Sequence, residues 1–163
     1  MELALLGDSH IPSREPHIPN SFLETIRSVD HVIHTGDFDS KGALADAQDL
    51  APALTAVHGN MDPQIGLPTV ATVEVGGVEF VVTHGTGSRG GWEQRVADAV
   101  AEHATTDDAV GVAGHTHELT DTVYDGVRIL NPGSVTGANP ADRPTMVTVT
   151  AEDGDLDVTV HEL

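Results

Sequence analysis

Polar side chains with metal-binding chemistry recur beside glycine, each time near the end of a short apolar run. They fall in five motifs, Gly-Asp-Ser-His, Gly-Asp, Gly-Asn-Met-Asp, Thr-His-Gly and Gly-His-Thr-His, in that order along the chain. Imidazole nitrogens combined with carboxylate and amide oxygens form mixed sites that suit transition metals. The pattern therefore predicts a metal site made of Asp8, His10, Asp37, Asn60, His84, His115 and His117.

An aspartate can bridge two metal ions through its two carboxylate oxygens, and we expect Asp37 to be that bridge. Two ions about 3.5–4 Å apart can clamp a phosphoryl group and lower the pKa of a shared water toward neutrality. The resulting metal-bridging hydroxide can attack phosphorus in line while the cations neutralise charge on the phosphoryl oxygens. The predicted chemistry is phosphoester hydrolysis without a protein nucleophile.

Strands and helices that could position these residues alternate in the first half of the chain. Apolar runs at 3–6, 31–34 and 54–57 predict short buried strands. A helix is expected to begin at Asn20 or Ser21 and another at Ser40, because these residue types are good N-caps. Strand–helix–strand units imply parallel pairing. Ligand sites gather beyond the carboxyl ends of such strands, so loops that are scattered in sequence can converge.

The second half of the chain is rich in hairpin signals. Gly-Gly or Asp-Gly pairs separate apolar alternating runs at 76–77, 125–126 and 153–154. A helical pattern at 92–103 and a buried strand at 109–113 lie between them. We expect one α/β domain over residues 1–163, with a β-rich second half that forms a second sheet packed against the first.

The charge balance limits the partners. The chain has 26 acidic and seven basic residues, a formal charge of −19, and no cysteine, which excludes thiolate metal sites. Dispersed acids favour a halophilic source over an ordinary acidic cytosolic protein, because salt screens their repulsion. The same field repels long nucleic acid, whereas a small phosphorylated molecule can bind where metal cations neutralise the site. No membrane span or signal peptide is recognisable, so we expect a cytoplasmic protein.

The five motifs in this order resemble those of the calcineurin-like metallophosphoesterases, and within them the small YfcE-type phosphodiesterase branch, to which Vps29 is related. The resemblance extends to Asn131-Pro132-Gly133-Ser134, which is similar to a recurring loop of that branch. It implies a four-layer αββα sandwich of two mixed β-sheets flanked by helices. It also implies two divalent metal ions, with Mn or Ni favoured and Zn or Fe acceptable, and it makes a homodimer an open expectation.

The resemblance further implies how the ligands divide between two metals. One metal would be bound by Asp8, His10, Asp37 and His117. The other would be bound by Asp37, Asn60, His84 and His115, with Asp37 shared. Asn60 and His84 are thereby the catalytic metal and substrate contacts, and the Asn60 amide is expected to reach a substrate oxygen.

The chain departs from many larger family members at Met61, where they carry a histidine thought to protonate the leaving group. Methionine cannot donate a proton, and either Asp62 or a metal-bound water is an alternative donor. Arg14 is a candidate phosphate contact, and so is Arg89, although for either one taken singly a surface ion pair with one of the many acids is the favoured interpretation. Asp39 is equally compatible with orienting a ligand and with capping the following helix.

Other polar residues near the motifs have simpler interpretations. His34 and His58 are expected to be structural, and Glu118 is expected to be a solvated acid rather than a partner of His117. The leading function is hydrolysis of a small phosphorylated substrate by a metal-dependent phosphoesterase, a phosphodiesterase more than a phosphomonoesterase. One alternative is a non-enzymatic Vps29-like scaffold that keeps the fold and binds protein partners. A second is a phosphatase that acts on nucleotides or phosphoproteins.

Overall fold

The computed structural model describes all 163 residues. Ten strands and three helices follow one another along the chain. They are β1 (Glu2–Leu6), α1 (Asn20–Ser28), β2 (His31–His34), α2 (Lys41–Leu50), β3 (Leu54–Ala56), β4 (Val70–Val75), β5 (Val78–Thr83), α3 (Trp92–His103), β6 (Val110–Val112), β7 (Thr120–Tyr124), β8 (Val127–Asn131), β9 (Thr145–Glu152) and β10 (Asp155–Glu162).

The strands form two five-stranded mixed sheets. The first has the order β10-β9-β1-β2-β3 and the second the order β4-β5-β6-β8-β7. In the first sheet β1, β2 and β3 are parallel, whereas β9 runs antiparallel to β1 with Glu2 opposite Thr150. In the second sheet β5, β6 and β8 are parallel and antiparallel strands lie at both edges. Five of these six parallel strands, all except β8, are followed by the metal-binding motifs.

The period-two alternation of β1 explains how the layers form. Leu3 and Leu5 point into a cluster of 14 buried residues between the two sheets, while Ala4 and Leu6 point outward beneath α1. There they pack with other apolar side chains, among them Phe22 of the helix. The same arrangement repeats on the second sheet, which α3 covers.

Helices therefore lie on both outer faces, α1 and α2 on the first sheet and α3 on the second. This is the four-layer αββα sandwich of two mixed sheets that was predicted, and the prediction is confirmed. Because the central cluster draws residues from both sheets, we propose that residues 1–163 form a single domain.

One topological prediction was incomplete. The second half was expected to form the second sheet alone, but its last hairpin, β9–β10, returns to the first sheet beside β1. A hairpin turn specifies only that two strands pair with each other, and the sheet they join depends on which open edge accepts them. The helix starts also differ in part. Ser40 caps α2 by accepting from the Ala43 N–H at 3.0 Å, whereas Pro19, without a side-chain cap, precedes α1.

No helix of the chain is long and apolar enough to cross a membrane.

Candidate metal centre

The loops that follow parallel strands bring all seven predicted ligands to one end of the sandwich. Each of the loops after β1, β2, β3, β5 and β6 contributes at least one of them. They are Asp8 and His10, then Asp37, Asn60 and His84, and finally His115 and His117.

The side chains form two adjacent groups, each able to hold one ion. Asp8, His10 and His117 form the first, and Asp37, His84 and His115 form the second, with the ligand atoms of each group within 4.8 Å of one another. In the first group the Nε2 atoms of His10 and His117 lie 3.1 Å apart, and Asp8 Oδ1 lies 3.6 Å from His117 Nε2. Ligand atoms about 2.1 Å from a shared ion have such separations.

Asp37 lies between the two groups. Its Oδ2 is 3.1 Å from His84 Nε2 and 3.6 Å from His10 Nε2, so one carboxylate oxygen faces both halves. Its Oδ1 accepts a hydrogen bond from the Met61 N–H at 2.8 Å, which fixes the orientation of the carboxylate. Asn60 joins the second group through Oδ1, 3.0 Å from His115 Nδ1.

Hydrogen bonds at the far nitrogens fix the tautomers of the first-group histidines. Asp39 Oδ2 lies 2.8 Å from His10 Nδ1, and the Ala138 carbonyl oxygen lies 2.9 Å from His117 Nδ1. Because these partners only accept, both Nδ1 atoms carry the proton in the neutral rings. Two Nε2 lone pairs therefore face each other without a hydrogen between them, an arrangement that a cation stabilises and that is otherwise repulsive.

The second-group histidines also direct a ring nitrogen at an electron-rich atom. His84 Nδ1 donates to the Thr35 carbonyl oxygen at 2.7 Å, which leaves Nε2 directed at Asp37 Oδ2. His115 Nε2 donates to the Gly87 carbonyl oxygen at 2.8 Å, which leaves Nδ1 facing the Asn60 oxygen. All four imidazoles thus direct one ring nitrogen at another electron-rich atom.

Two buried atoms at the middle of the centre have no hydrogen-bond partner, Asp8 Oδ1 and His84 Nε2. An unpaired buried acceptor costs free energy that a metal–ligand bond would recover. The donor set, the tautomers and these unpartnered atoms agree with one another. The residues present therefore fit divalent metal ions.

The pKa values of this cluster indicate a shortage of positive charge. Burial raises the pKa of Asp8 to about 7, with a further increase from the charge of Asp37. Burial lowers the pKa of His84, but the Asp37 carboxylate 3.1 Å from Nε2 and the charge of Asp8 outweigh burial and raise the pKa to about 9. Burial lowers the pKa of His117 to about 4. Two carboxylates thus compete for one protonated imidazole, which is the electrostatic situation that bound cations resolve.

Backbone strain is concentrated at the same place. Eight non-glycine residues have positive φ, and the two outside the centre are Asp125 and Asp153 in hairpin turns. The other six are Asp8, His10, Asp37, Asp39, His115 and His117, with φ between 49° and 76°. Strained residues of this kind persist only where the surroundings hold them, and they cluster at functional sites.

Asp62 is engaged with the backbone of the neighbouring loops. Its Oδ2 accepts from the backbone N–H groups of Asp37 at 3.0 Å and Gly59 at 2.8 Å, and its Oδ1 accepts from that of Asp39 at 2.9 Å. Both carboxylate oxygens thus face backbone N–H groups, an arrangement that does not favour the role of proton donor to a leaving group. Asp62 instead ties the β2 loop to the β3 loop.

The other polar residues divide between support and surface. Asp39 contacts His10, and Ser40 performs the capping, so the orienting alternative applies to Asp39. Arg14 is exposed and donates to the Asn139 carbonyl oxygen. It lies close enough to the centre for its charge to act against a higher pKa at both Asp8 and His117. Arg89 pairs with Glu118 at 2.8 Å, the surface ion pair that was the alternative to a phosphate contact.

His34 and His58 do not join the metal cluster. His34 is buried, stacks on Phe38 at 3.7 Å and bonds to Ser9, whereas His58 lies 3.1 Å from the Pro63 carbonyl oxygen. Both are structural, as predicted.

The sequence analysis did not identify the residues that hold the loops in place through hydrogen bonds. Ser134 Oγ donates to the Asp8 carbonyl oxygen at 2.8 Å, and Thr136 Oγ1 donates to that of Ser9 at 2.7 Å. The Asn-Pro-Gly-Ser motif pointed to Ser134, but nothing local identified its partner. The carbonyl acceptors at Thr35, Gly87 and Ala138 have no sequence signal, because any residue supplies a carbonyl group.

Comparison with known proteins agrees with this geometry. The profile of the calcineurin-like phosphoesterase superfamily domain matches residues 1–154. A probable metallophosphoesterase from Methanothermobacter thermautotrophicus is 30% identical over 149 residues, covering 90% of this chain and 84% of that protein.

Two solved structures share the fold. Vps29 from Chaetomium thermophilum superposes with a TM-score of 0.80 at 20% identity, over 100% of this chain and 97% of that chain. Vps29 from Entamoeba histolytica complexed with Zn²⁺ superposes with a TM-score of 0.67 at 25% identity, over 99% of each chain. The profile match and the archaeal relative show that the chain belongs to the calcineurin-like phosphoesterase superfamily, a family of metal-dependent phosphoesterases.

Proposed function

We propose that the chain is a phosphodiesterase that hydrolyses a small phosphorylated substrate with two divalent metal ions. The observation that carries the proposal is the convergence of four imidazole nitrogens on one another and on carboxylate and amide oxygens. Without a proton or a metal ion between them these contacts are repulsive, so their close approach supports a site built for metal.

In the proposed assignment, Asp8, His10, Asp37 and His117 hold one ion, and Asp37, Asn60, His84 and His115 hold the other. When bound, the two cations neutralise phosphoryl oxygens and lower the pKa of water so that it becomes a nucleophile at neutral pH. The first group is buried, whereas Asn60 is exposed and His115 is half-buried. The substrate therefore approaches from the second group.

The chain's own residues orient the substrate. The Asn60 side chain is amphoteric, so its Nδ2 is free to donate to a phosphoryl oxygen while Oδ1 faces the metal position. Arg14 keeps guanidinium donors beyond its bond to the Asn139 carbonyl oxygen and is proposed as a second phosphate contact.

No side chain at the centre is placed to protonate a leaving group. Met61 is exposed beside Asn60 and carries no proton, and Asp62 is engaged with backbone N–H groups. The proposed enzyme therefore expels good leaving groups much faster than poor ones, since general acid catalysis normally contributes about 10²–10⁴-fold.

The identity of the metals is proposed from the donor chemistry. Nitrogen donors with carboxylate and amide oxygens accept Mn, Ni, Zn and Fe, and Mn or Ni is our choice for the working enzyme. The Entamoeba histolytica Vps29 complex with Zn²⁺ supports zinc as a further occupant.

A scaffold function has one specific observation in its favour, the likeness to Vps29 over the whole chain. Chaetomium thermophilum Vps29 has also been solved with a cyclic peptide, so that protein presents a peptide-binding surface. Metal binding alone does not separate the two functions, whereas turnover does.

The test is hydrolysis of bis-p-nitrophenyl phosphate and p-nitrophenyl phosphate by metal-stripped protein reloaded with Mn²⁺ or Ni²⁺ in high salt. Asp37→Asn and His84→Ala are expected to abolish turnover. The matched controls are Asp46→Asn, on the exposed face of α2, and His103→Ala, at the exposed end of α3. Stoichiometric metal binding without cleavage of either ester would favour the scaffold.

Three further expectations from the sequence stay proposals: a cytoplasmic location, a homodimer, and the exclusion of long nucleic acid as a partner. Light scattering coupled to gel filtration in high salt measures the oligomeric state directly. A monomeric mass at micromolar concentration would contradict the homodimer.

A further inference from the structure

Two separate clefts border the metal centre, one at each half. The first, named the His117 cleft, has a volume of about 340 Å³ and is bordered by His117 of the first group and by its neighbour Thr116. The second, named the His84 cleft, has a volume of about 350 Å³ and is bordered by Asn60 and His84 of the second group. The two clefts share no residue.

A larger cavity of about 380 Å³ lies elsewhere, among α1, α2 and the loop after β1, and it contains none of the seven ligand candidates. Half of its lining residues are hydrophobic. Because none of its lining residues is a ligand candidate, we do not assign the substrate to this cavity.

The number of clefts bears on the kind of ester. A phosphodiester carries organic groups on two phosphoryl oxygens and needs space on two sides of phosphorus, whereas a monoester needs space on one. Each cleft has the volume of roughly eleven water molecules at about 30 Å³ each, enough for a glycerol or sugar unit. The centre therefore has room for two arms of modest size.

The lining of the clefts bears on the chemistry of the arms. Only two of 11 lining residues are hydrophobic in the His117 cleft, and most of its exposed lining surface is polar. Sites for apolar ligands are lined mainly by apolar side chains, so an aryl or acyl arm would bury little apolar area in the His117 cleft. In the His84 cleft only one of 10 lining residues is hydrophobic, but most of the exposed lining surface is apolar. A hydroxyl-bearing arm therefore suits the His117 cleft, whereas the His84 cleft also accepts a less polar arm.

Charge limits the arms further. In the His117 cleft Arg143 pairs with Glu162 at 3.2 Å, and Arg89 is likewise neutralised by Glu118. A third carboxylate, Asp142, leaves the cleft with more acids than bases. An additional anionic group is disfavoured there.

The His84 cleft has one base, Arg95, and its guanidinium is already used by the protein. Its nitrogens donate to the carbonyl oxygens of Gly85, Ser88 and Gly90, and the loop wraps closely around it. A Cβ atom on Gly87 would lie 2.8 Å from the Arg95 Cζ. These carbonyl partners do not neutralise the positive charge of Arg95, and its Nε has no hydrogen-bond partner. The exclusion of a second phosphate therefore applies to the His117 cleft alone.

We propose that the substrate is a phosphodiester with one arm in each cleft, and that the arm in the His117 cleft is uncharged and hydroxyl-bearing. This inference rests on the proposed function and narrows its substrate class. Diesters in which both arms are aromatic, long acyl or charged groups fall outside it.

The first test uses the Mn²⁺-loaded wild-type protein with bis-p-nitrophenyl phosphate as the reporter. Glycerophosphoglycerol and diphenyl phosphate are compared as competitive inhibitors, so that leaving-group reactivity does not enter. We expect the inhibition constant of glycerophosphoglycerol to be at least tenfold lower. An equal or tighter inhibition by diphenyl phosphate would overturn the proposed polarity of the arm in the His117 cleft.

The second test fills each cleft with a large side chain. Thr86→Trp fills the His84 cleft and Ala141→Trp the His117 cleft, with Thr159→Trp on the exposed face of β10 as the control. Each filling variant is expected to lower kcat/KM for the diester at least tenfold. Only one of them should lower kcat/KM for p-nitrophenyl phosphate, because a monoester has a single arm.

Equal losses for both esters, or no loss for the diester, would overturn the two-cleft assignment while leaving the phosphoesterase proposal intact. Failure of the wild-type protein to cleave any ester would instead overturn the proposed function and this inference with it.

Discussion

Gly59 lies against the bridging aspartate, and replacing it with alanine is a sharp test of the metal centre. A Cβ at this position would lie 2.2 Å from Asp37 Oδ1 and 2.4 Å from the Asp37 nitrogen. The first distance is roughly 1.2 Å short of the 3.4 Å at which ordinary contact begins. Asp37 cannot move away freely, because Oδ1 accepts from the Met61 N–H and its own N–H donates to Asp62.

Gly59→Ala therefore has two costs. Overpacking typically costs about 1–3 kcal/mol of folding free energy. A displacement of about 1 Å in a catalytic group can lower the rate about 10²-fold, and disturbed ligand support weakens metal binding about 10–100-fold. The matched control is Gly90→Ala on the same face of the molecule, where an added Cβ meets nothing within 4 Å and φ is ordinary.

The assay combines three measurements on each variant. Metal content is measured after dialysis against limiting Mn²⁺. The value of kcat/KM is measured with bis-p-nitrophenyl phosphate, and the free energy of unfolding is measured with urea. We expect Gly59→Ala to bind less metal and to have a kcat/KM about 10²-fold lower than that of the wild type. The kcat/KM of Gly90→Ala should stay within about twofold of the wild-type value. A folded Gly59→Ala protein with wild-type metal content and rate would refute the reasoning about Asp37.

Four further predictions concern single groups and the surface. Asp62→Asn replaces an acceptor oxygen with a donor facing backbone N–H groups, so urea unfolding should show a loss of about 1–3 kcal/mol and metal affinity should fall about tenfold or more. Met61→His should raise kcat/KM for alkyl esters about tenfold or more relative to nitrophenyl esters, because it adds a proton donor beside Asn60. Burial lowers the pKa of His34 from 6.5 to about 3. As pH falls below 6.5, the unfolded state therefore binds a proton at this histidine before the folded state does, and the folded state loses stability. Between pH 6.5 and pH 5 the free energy of unfolding, measured with urea, should fall by about 2 kcal/mol more for the wild type than for His34→Gln. The charge of −19 predicts that the unfolding midpoint rises with KCl between 0.1 and 2 M, measured by thermal denaturation.

Each of these predictions has a contrary result. If Asp62→Asn removed the basic limb of the pH–rate profile without changing stability, Asp62 would be a proton donor after all. If Met61→His changed all esters equally, protonation of the leaving group would not limit the rate. Parallel pH profiles for His34→Gln and the wild type would refute the burial argument, and a midpoint independent of salt would refute a halophilic adaptation.

The sequence predicted the strands and the ligand candidates well because both depend on local patterns. The run at 31–34 became β2 with the same bounds, and the pattern at 92–103 became α3. A short strand followed by Gly-Asp or Thr-His-Gly is enough to predict where the ligand side chain lies. The parallel strand sets the direction of the chain, and the glycine permits the turn.

What the sequence did not predict depends on distant partners. The role of Asp62 was missed because the sequence does not distinguish an acid that donates a proton from one that accepts hydrogen bonds from three N–H groups. Those N–H groups point at Asp62 only because Asp37 and Asp39 adopt positive φ in another loop. The placement of the last hairpin was missed for a similar reason, since nothing in β9 identifies β1 as its neighbour.

The position of β1 has a consequence for how the protein is made. On one side β1 pairs with β2, but on the other Glu2 pairs with Thr150, and the Asp8 carboxylate accepts from the His115 N–H across 107 residues of sequence. While the ribosome has released only the first half of the chain, the strand that bears Asp8 and His10 has an open flank and no second half-site. Loop closure over such distances is slow, so the nascent chain is expected to capture metal only near the end of synthesis.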